Sequence, residues 1–320
     1  MRFLWEKGAS AMRCVKMGVG QGGRGQRGKR NPYSVQRKSF GDSGLRITHR
    51  RSPFIYDAGF TLIELLVVIS IVAFLMAILM PALQRARRQA KAMACQAKLH
   101  QWGLAFAAYT SDYNGQFYPW APAMSGGTVH WPYGMGRYFG NSKDLLLCPV
   151  ATKPFPPDGH SGSAVDKFSA WRMPCPGAPG DYYEGSYAQN GWICRLDHPD
   201  VSYRGVWTTA LVRNAHEVPV LVDAMDWALV YSDFNCQWTP PPFEGEVGDL
   251  TNWSMNLACI ERHSGGVNGL FMDWSVRKIG LKELWTLKWN REYDTHGPWT
   301  KAGGVKAEDW PEWMRRFKDY

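Results

Sequence analysis

Along most of this chain apolar and polar residues alternate in short runs, and one stretch breaks the habit. From Phe60 to Met80 only Thr61, Glu64 and Ser70 are polar. At ~1.5 Å rise per residue a helix of that length spans roughly 30 Å, the thickness of a bilayer's hydrocarbon core. No other stretch of the sequence is long and apolar enough to do this. Glu64 is the anomaly, because a carboxylate near the centre of such a span costs about 2.5 kcal/mol or more and marks a functional position by default. Here it lies one turn from the start, where a wet, interfacial Glu is the plain alternative. Beyond the span, Leu83, Ala86, Ala90, Met93, Ala97, Leu104 and Ala108 recur at helical spacing and predict an apolar stripe over residues 81–109, with Arg85, Arg88, Lys91 and Lys98 off it. That basic cluster suits acidic lipid or a neighbouring chain, or is simply a solvated face. Pro81 removes one backbone donor and predicts a kink. The pattern ends near Ser111-Asp112-Tyr113-Asn114-Gly115, where Asn-Gly signals a turn.

After residue 115 the texture changes to Pro, Gly and aromatics. Short apolar runs are bounded by turn residues, as in Asp144–Pro149, Val218–Asp223 and Gly269–Met272, and read as short strands between long loops. One long helix followed by scattered strands predicts an α+β fold, with the helix packed on a small antiparallel sheet. The segments are then a lead-in of residues 1–59, a membrane helix over 60–80, its amphipathic continuation over 81–112, and a loop-rich aromatic head over 113–320.

Charge changes meaning once it is divided along these boundaries. The 320-residue chain carries a formal +9, which at first suggests an anionic partner. Residues 1–59 hold 13 Lys and Arg against 3 Asp and Glu, whereas residues 60–320 hold 24 against 25. The basicity therefore belongs to the lead-in, and charge gives no ground for nucleic-acid binding by the rest. The lead-in, with stretches such as Gln21-Gly22-Gly23-Arg24-Gly25, lacks the apolar content to fold alone. A basic tail before a span usually stays cytoplasmic. The local count argues the other way, since Arg85, Arg87, Arg88, Lys91 and Lys98 follow the span and only Arg46, Arg50 and Arg51 closely precede it. Arg50-Arg51-Ser52-Pro53-Phe54 is a weak twin-arginine match, and no small-x-small site closes the apolar run as in an ordinary signal peptide.

Gly59-Phe60-Thr61-Leu62-Ile63-Glu64 and the apolar helix behind it resemble the processing site of type IV prepilins and type II secretion pseudopilins. The resemblance implies cleavage between Gly59 and Phe60 by a prepilin peptidase, and methylation of the new amino terminus. Glu64 becomes the fifth mature residue, which that family uses in assembly, and Pro81 the twenty-second, where these helices often carry Pro. It implies as partners other pilin-like subunits and an inner-membrane assembly platform, with a single pass through the inner membrane and the head in the periplasm or an extracellular filament. The lead-in is long for that family, so Met12 or Met17 is a plausible start. Leu147-Cys148-Pro149, Ser186-Tyr187-Ala188-Gln189-Asn190-Gly191 and Leu221-Val222-Asp223 resemble landmarks of large pilin-like proteins common in Planctomycetes and related bacteria. Arg262-His263-Ser264-Gly265-Gly266 through Asp273-Trp274 resembles their His-x9-Asp-Gly tail motif, with Trp274 in place of Gly. Trp tolerates the positive φ of a tight Asp-Gly turn poorly, which puts the turn geometry in question.

Few residues suggest chemistry. His263 and Asp273 are candidates for metal ligation or a catalytic pair. The resemblance points to calcium, as in major pseudopilins, with Asp223, Asp226, Asp233 and Asp273 as candidate oxygen ligands although their spacing is no EF-hand. The plainer expectation has Asp273 capping a turn and His263 bonded to backbone. Seven cysteines include no Cys-x-x-Cys, so spacing gives no support for zinc. If the head is exported disulfides are permitted, but the five head cysteines cannot all pair internally. Gly159-His160-Ser161-Gly162-Ser163 is not a nucleophile elbow, and no enzyme is expected. Of 16 Trp, 14 follow residue 115. They are expected to fill the core of a loop-rich domain. The alternative is an exposed aromatic face, with residues 308–317 as a short amphipathic helix supplying contacts. The function expected is that of a structural pilin-like subunit of a type II secretion pseudopilus or type IV pilus-like filament. The alternative is a pilin-anchored binding module displaying the head to polysaccharide or cargo.

Overall fold

In the computed structural model, which describes residues 61–119, 131–140, 142–155, 164–175, 180–195, 205–229, 239–245 and 255–320, a single helix provides the longest element. This helix, α1, runs Leu62–Asp112 and continues through Pro81, whose missing donor does not end it. The described residues divide into two units at this proline, with those up to Pro81 in one and those from Ala82 onward in the other. In the first, every side chain from Thr61 to Pro81 is exposed. α1 is long and apolar enough to cross a membrane, and none of its apolar window is buried.

In the second unit the buried face of α1 is not the predicted stripe. Cys95, Leu99, Trp102, Ala105, Phe106 and Tyr109 are buried, while Leu83, Met93, Ala97, Leu104 and Ala108 are exposed. Small and aromatic residues form the true seam, and the Leu/Met/Ala count misread it. Lys98 lies beside that seam, its ammonium bonded to the Asp144 and Leu147 carbonyls at 2.8 and 3.1 Å and paired with the Asp144 carboxylate at 2.9 Å. Trp102 Nε1 donates to the Leu145 carbonyl at 2.8 Å. These donors from α1 take the carbonyls a sheet partner would need, and the expected strand at 144–149 is instead a 3₁₀ turn, Lys143–Leu146.

Two short helices, α2 (Trp131–Gly134) and α3 (Gly136–Phe139), precede that turn. β1 (Trp171–Pro174) and β2 (Tyr182–Gly185) form an antiparallel pair. β3 (Tyr187–Asn190), β4 (Pro219–Asp223), β5 (Ala228–Leu229), β6 (Gly266–Phe271) and β7 (Val276–Gly280) form a sheet of order β5-β3-β4-β6-β7. All its pairings are antiparallel except β3 with β5. The architecture is the α+β one expected. β4 and β6 are buried throughout, as befits central strands covered on both faces.

Strand periodicity divides the two covers. On β6, Leu270 joins the core with Leu99, Trp102 and Phe106 of α1, and Asn268 bonds Gln96 and the Ala92 carbonyl. Val267 and Phe271 join the opposite core, with Leu284, Trp285, Trp289 and Trp310 from the last forty residues. Trp102, Trp171, Trp285, Trp289 and Trp310 are among the largest fully buried side chains. The tryptophans described here thus serve chiefly as core; Trp120, Trp238 and Trp253 lie outside the described residues. The expected helix over 308–317 is absent. Pro311 separates two 3₁₀ turns, Ala307–Asp309 and Glu312–Met314, and Trp310 and Met314 point into the core.

The β6–β7 turn forms despite Trp274. Trp274 N–H bonds the Phe271 carbonyl at 2.9 Å with Trp274 at φ 66°, the left-handed setting that Gly usually fills. Its ring lies parallel to that of Phe106, 14° between planes and 6.3 Å between centroids, so contact with α1 offsets the backbone strain.

Candidate functional site

Two places gather functional side chains, each within its own unit. The first is the start of α1. Gly59 and Phe60 lie outside the described residues. Thr61 and Glu64 form a reciprocal cap: Glu64 N–H donates to Thr61 Oγ1 at 3.3 Å, and Glu64 Oε2 accepts from Thr61 N–H at 2.9 Å and Thr61 Oγ1 at 2.7 Å. This arrangement satisfies helix-terminal donors that otherwise lack partners. The Glu64 carboxylate is exposed in the single chain, so another chain's cation can reach it.

The second place is buried, where α1 meets the sheet. Four segments each bring one residue: Cys95 from α1, Cys148 after the 3₁₀ turn, Asp223 at the end of β4, and His263 just before β6. Their ligating atoms lie within 4.8 Å of one another. All four residues are between 0 and 4% exposed. His263 Nε2 stands 3.3 Å from Cys148 Sγ and 3.1 Å from Asp223 Oδ2, and Cys95 Sγ stands 3.5 Å from the same Oδ2.

Local sequence explains how His263 is aimed. Its N–H bonds the Gly266 carbonyl at 2.9 Å, closing a turn in which Ser264 and Gly265 have φ of 51° and 88°. A Cβ on Gly266 would sit 2.2 Å from the Ile279 carbonyl oxygen, so this position has room only for Gly. Around the four residues lies a shell of donors. Asn268 N–H reaches Asp223 Oδ2 at 2.9 Å, Arg262 Nη1 reaches Asp223 Oδ1 at 3.3 Å, and Tyr187 Oη donates to Cys95 Sγ at 3.3 Å. Arg262 also bonds the Ser186 carbonyl at 2.8 Å, and Ser186 Oγ accepts from Cys148 N–H at 2.6 Å. The four landmark stretches named from sequence, 147–149, 186–191, 221–223 and the start of 262–277, therefore meet at one centre.

The electrostatics follow from burial and contact. Burial raises the Cys148 thiol pKa, but Cys95, His263 and Arg262 outweigh it and bring the value down to about 7. Burial lowers that of His263, but Asp223 and Cys148 outweigh it and raise the value to about 9. Asp223 is desolvated, yet His263, Arg262 and Asn268 hold its carboxyl below the usual range. Burial and Cys148 push Cys95 well up.

The other predicted residues lie elsewhere. His263 and Asp273 flank β6 at opposite ends, roughly 20 Å of extended chain apart, so they form no pair. Asp273 is exposed and caps the hairpin turn, accepting from Ser275 N–H at 3.0 Å and Ser275 Oγ at 2.6 Å. The His263 imidazole faces the Cys148 and Asp223 side chains rather than backbone. Asp226 is buried and accepts from Trp227 N–H at 2.6 Å. Of the calcium candidates only Asp223 belongs to the four-residue group, and Asp233 lies outside the described residues. Local spacing missed Cys95 and Cys148, because the four residues are 40 or more positions apart; the one sequence signal for Cys95 was its place four before Leu99 on the true helix seam. Cys95, Cys148, Cys194 and Cys259 are free thiols.

The family model described as the prokaryotic N-terminal methylation motif matches residues 56–80. No curated protein and no solved structure matches the chain.

Proposed function

From the premise that this chain is a type IV pilin-like protein, we propose that it serves as a structural subunit of a type II secretion pseudopilus or type IV pilus-like filament. The methylation motif implies processing by prepilin peptidase and assembly with other pilin subunits. In this reading the cut falls after Gly59, Phe60 becomes the amino terminus, and α1 anchors the subunit in the inner membrane until it enters the filament. The inner-membrane assembly platform receives it, and residues after the span lie in the periplasm or outside. The role is structural rather than catalytic.

The observation that carries the reading is the exposed apolar run after Thr61, with its single carboxylate one turn in. Packed among like helices in a filament, both Glu64 and the new Phe60 amine lose water. Two opposite charges offset part of each other's desolvation, which one alone cannot do. Glu64 therefore leaves its Thr61 cap and pairs with the amine of an adjacent subunit. The exposed residues Leu83, Met93, Leu104 and Ala108 extend the surface available to neighbouring helices. Glu64→Ala is expected to yield a processed, membrane-held protein absent from the sheared filament fraction. Normal assembly of that variant would refute the pairing.

A further inference from the structure

We propose that Cys95, Cys148, Asp223 and His263 form a structural zinc site that fastens α1 to the sheet. The inference is independent of how the amino terminus is processed. Two thiols, one imidazole and one carboxylate suit a four-coordinate zinc. With Zn–S of ~2.3 Å and Zn–N or Zn–O of ~2.0–2.1 Å, tetrahedral ligands stand roughly 3.3–3.8 Å apart. Three of the six edges are 3.3 Å for Cys148 to His263, 3.1 Å for His263 to Asp223 and 3.5 Å for Cys95 to Asp223, each within about 0.3 Å of the edge those bond lengths give, and the other pairs lie within 4.8 Å.

The arrangement argues against the other uses of the same residues. In a Cys-His-Asp catalytic triad the carboxylate holds one ring nitrogen and the nucleophile faces the other. Here Cys148 and Asp223 both face Nε2, which carries at most one proton and cannot satisfy two partners fully. A cation between them does. All four groups are buried, so no substrate reaches the sulfur. Four protein ligands leave no open position, which is the pattern of a structural rather than a catalytic site.

Charge and outer contacts fit as well. Two thiolates and Asp223 with one divalent cation leave a single negative charge, and Arg262 on Asp223 Oδ1 cancels it. Tyr187 Oη on Cys95, Val150 N–H on Cys148 at 3.5 Å and Asn268 N–H on Asp223 supply the outer hydrogen bonds that orient metal ligands. Coordination needs Cys95 and Cys148 as thiolates and His263 with Nε2 unprotonated, so whatever protons those three atoms carry are released to solvent, and no redox change is involved.

The test uses the full chain, purified in detergent without chelator, with metal content read by elemental mass spectrometry and Co²⁺ exchanged in as a probe. One zinc per chain is expected, and a cobalt form with visible d–d bands and a near-ultraviolet thiolate charge-transfer band. Cys148→Ser should abolish both, while Cys259→Ser, a buried thiol in the opposite core, should retain them. Tyr187→Phe keeps the ring and should weaken zinc affinity ~10-fold or more. A folded wild-type chain that lacks zinc and gives no cobalt spectrum would overturn the proposal. So would protein from cells bearing a Cys95–Cys148 disulfide, seen as a two-dalton loss in the linked peptide.

Discussion

At the scale of single residues, Trp274 weighs a strained backbone against a half-buried ring. A left-handed φ costs a non-glycine residue about 1–2 kcal/mol. Parallel contact with Phe106 and partial burial among apolar side chains contribute more, since an aromatic ring brings 150 Å² or more of surface at about 25 cal/mol per Å². Trp274→Gly is therefore expected to lower stability by about 1 kcal/mol although it restores the usual turn residue, as denaturant titration would show. Gly266→Ala should cost more, about 1–3 kcal/mol, because its new methyl meets the β7 backbone rather than a movable side chain. Legibility differs in the same way. The Asp273 cap was readable because its partner, Ser275, is two positions away. His263 was singled out, but its partners Asp223 and Cys148 are 40 and 115 positions back, where spacing carries no signal.

At the scale of elements, α1 shows how a helix can be predicted and its face misjudged. The 3.6-residue period fixed the helix, yet Ala recurs on both sides and the larger seam residues are Trp, Phe and Tyr. Phe106→Ala is expected to cost about 3–5 kcal/mol and Leu99→Ala about 2–5. Met93→Ala and Leu104→Ala, at 63% and 62% exposure, should stay within about 0.5 kcal/mol in the dispersed protein. The C-terminal segment offers a second test. The Lys282 side chain is fully buried, its ammonium 2.6 Å from Asp319 and 4.8 Å from the Trp310 ring centroid. Removing Asp319 leaves a buried cation without its anion, facing only the Trp310 ring among the contacts described, so Asp319→Ala should destabilise by about 3 kcal/mol, and Lys282→Met much less. The α+β class followed from elements that are local in sequence. The tail's inward Trp310 did not, because Pro311 interrupts the helix that its pattern suggested.

At the scale of the whole molecule, the chain joins an exposed apolar rod to a unit whose sheet is covered on both faces. The rod buries nothing of its own in the single chain, which is costly in water and suited to lipid or to other rods. The central claim is that this rod starts a processed subunit. Intact-mass and amino-terminal analysis of the membrane-extracted protein tests it most directly. A chain beginning at N-methylated Phe60 is the result predicted; a membrane form that retains Gly59 and the basic residues before it would contradict the account.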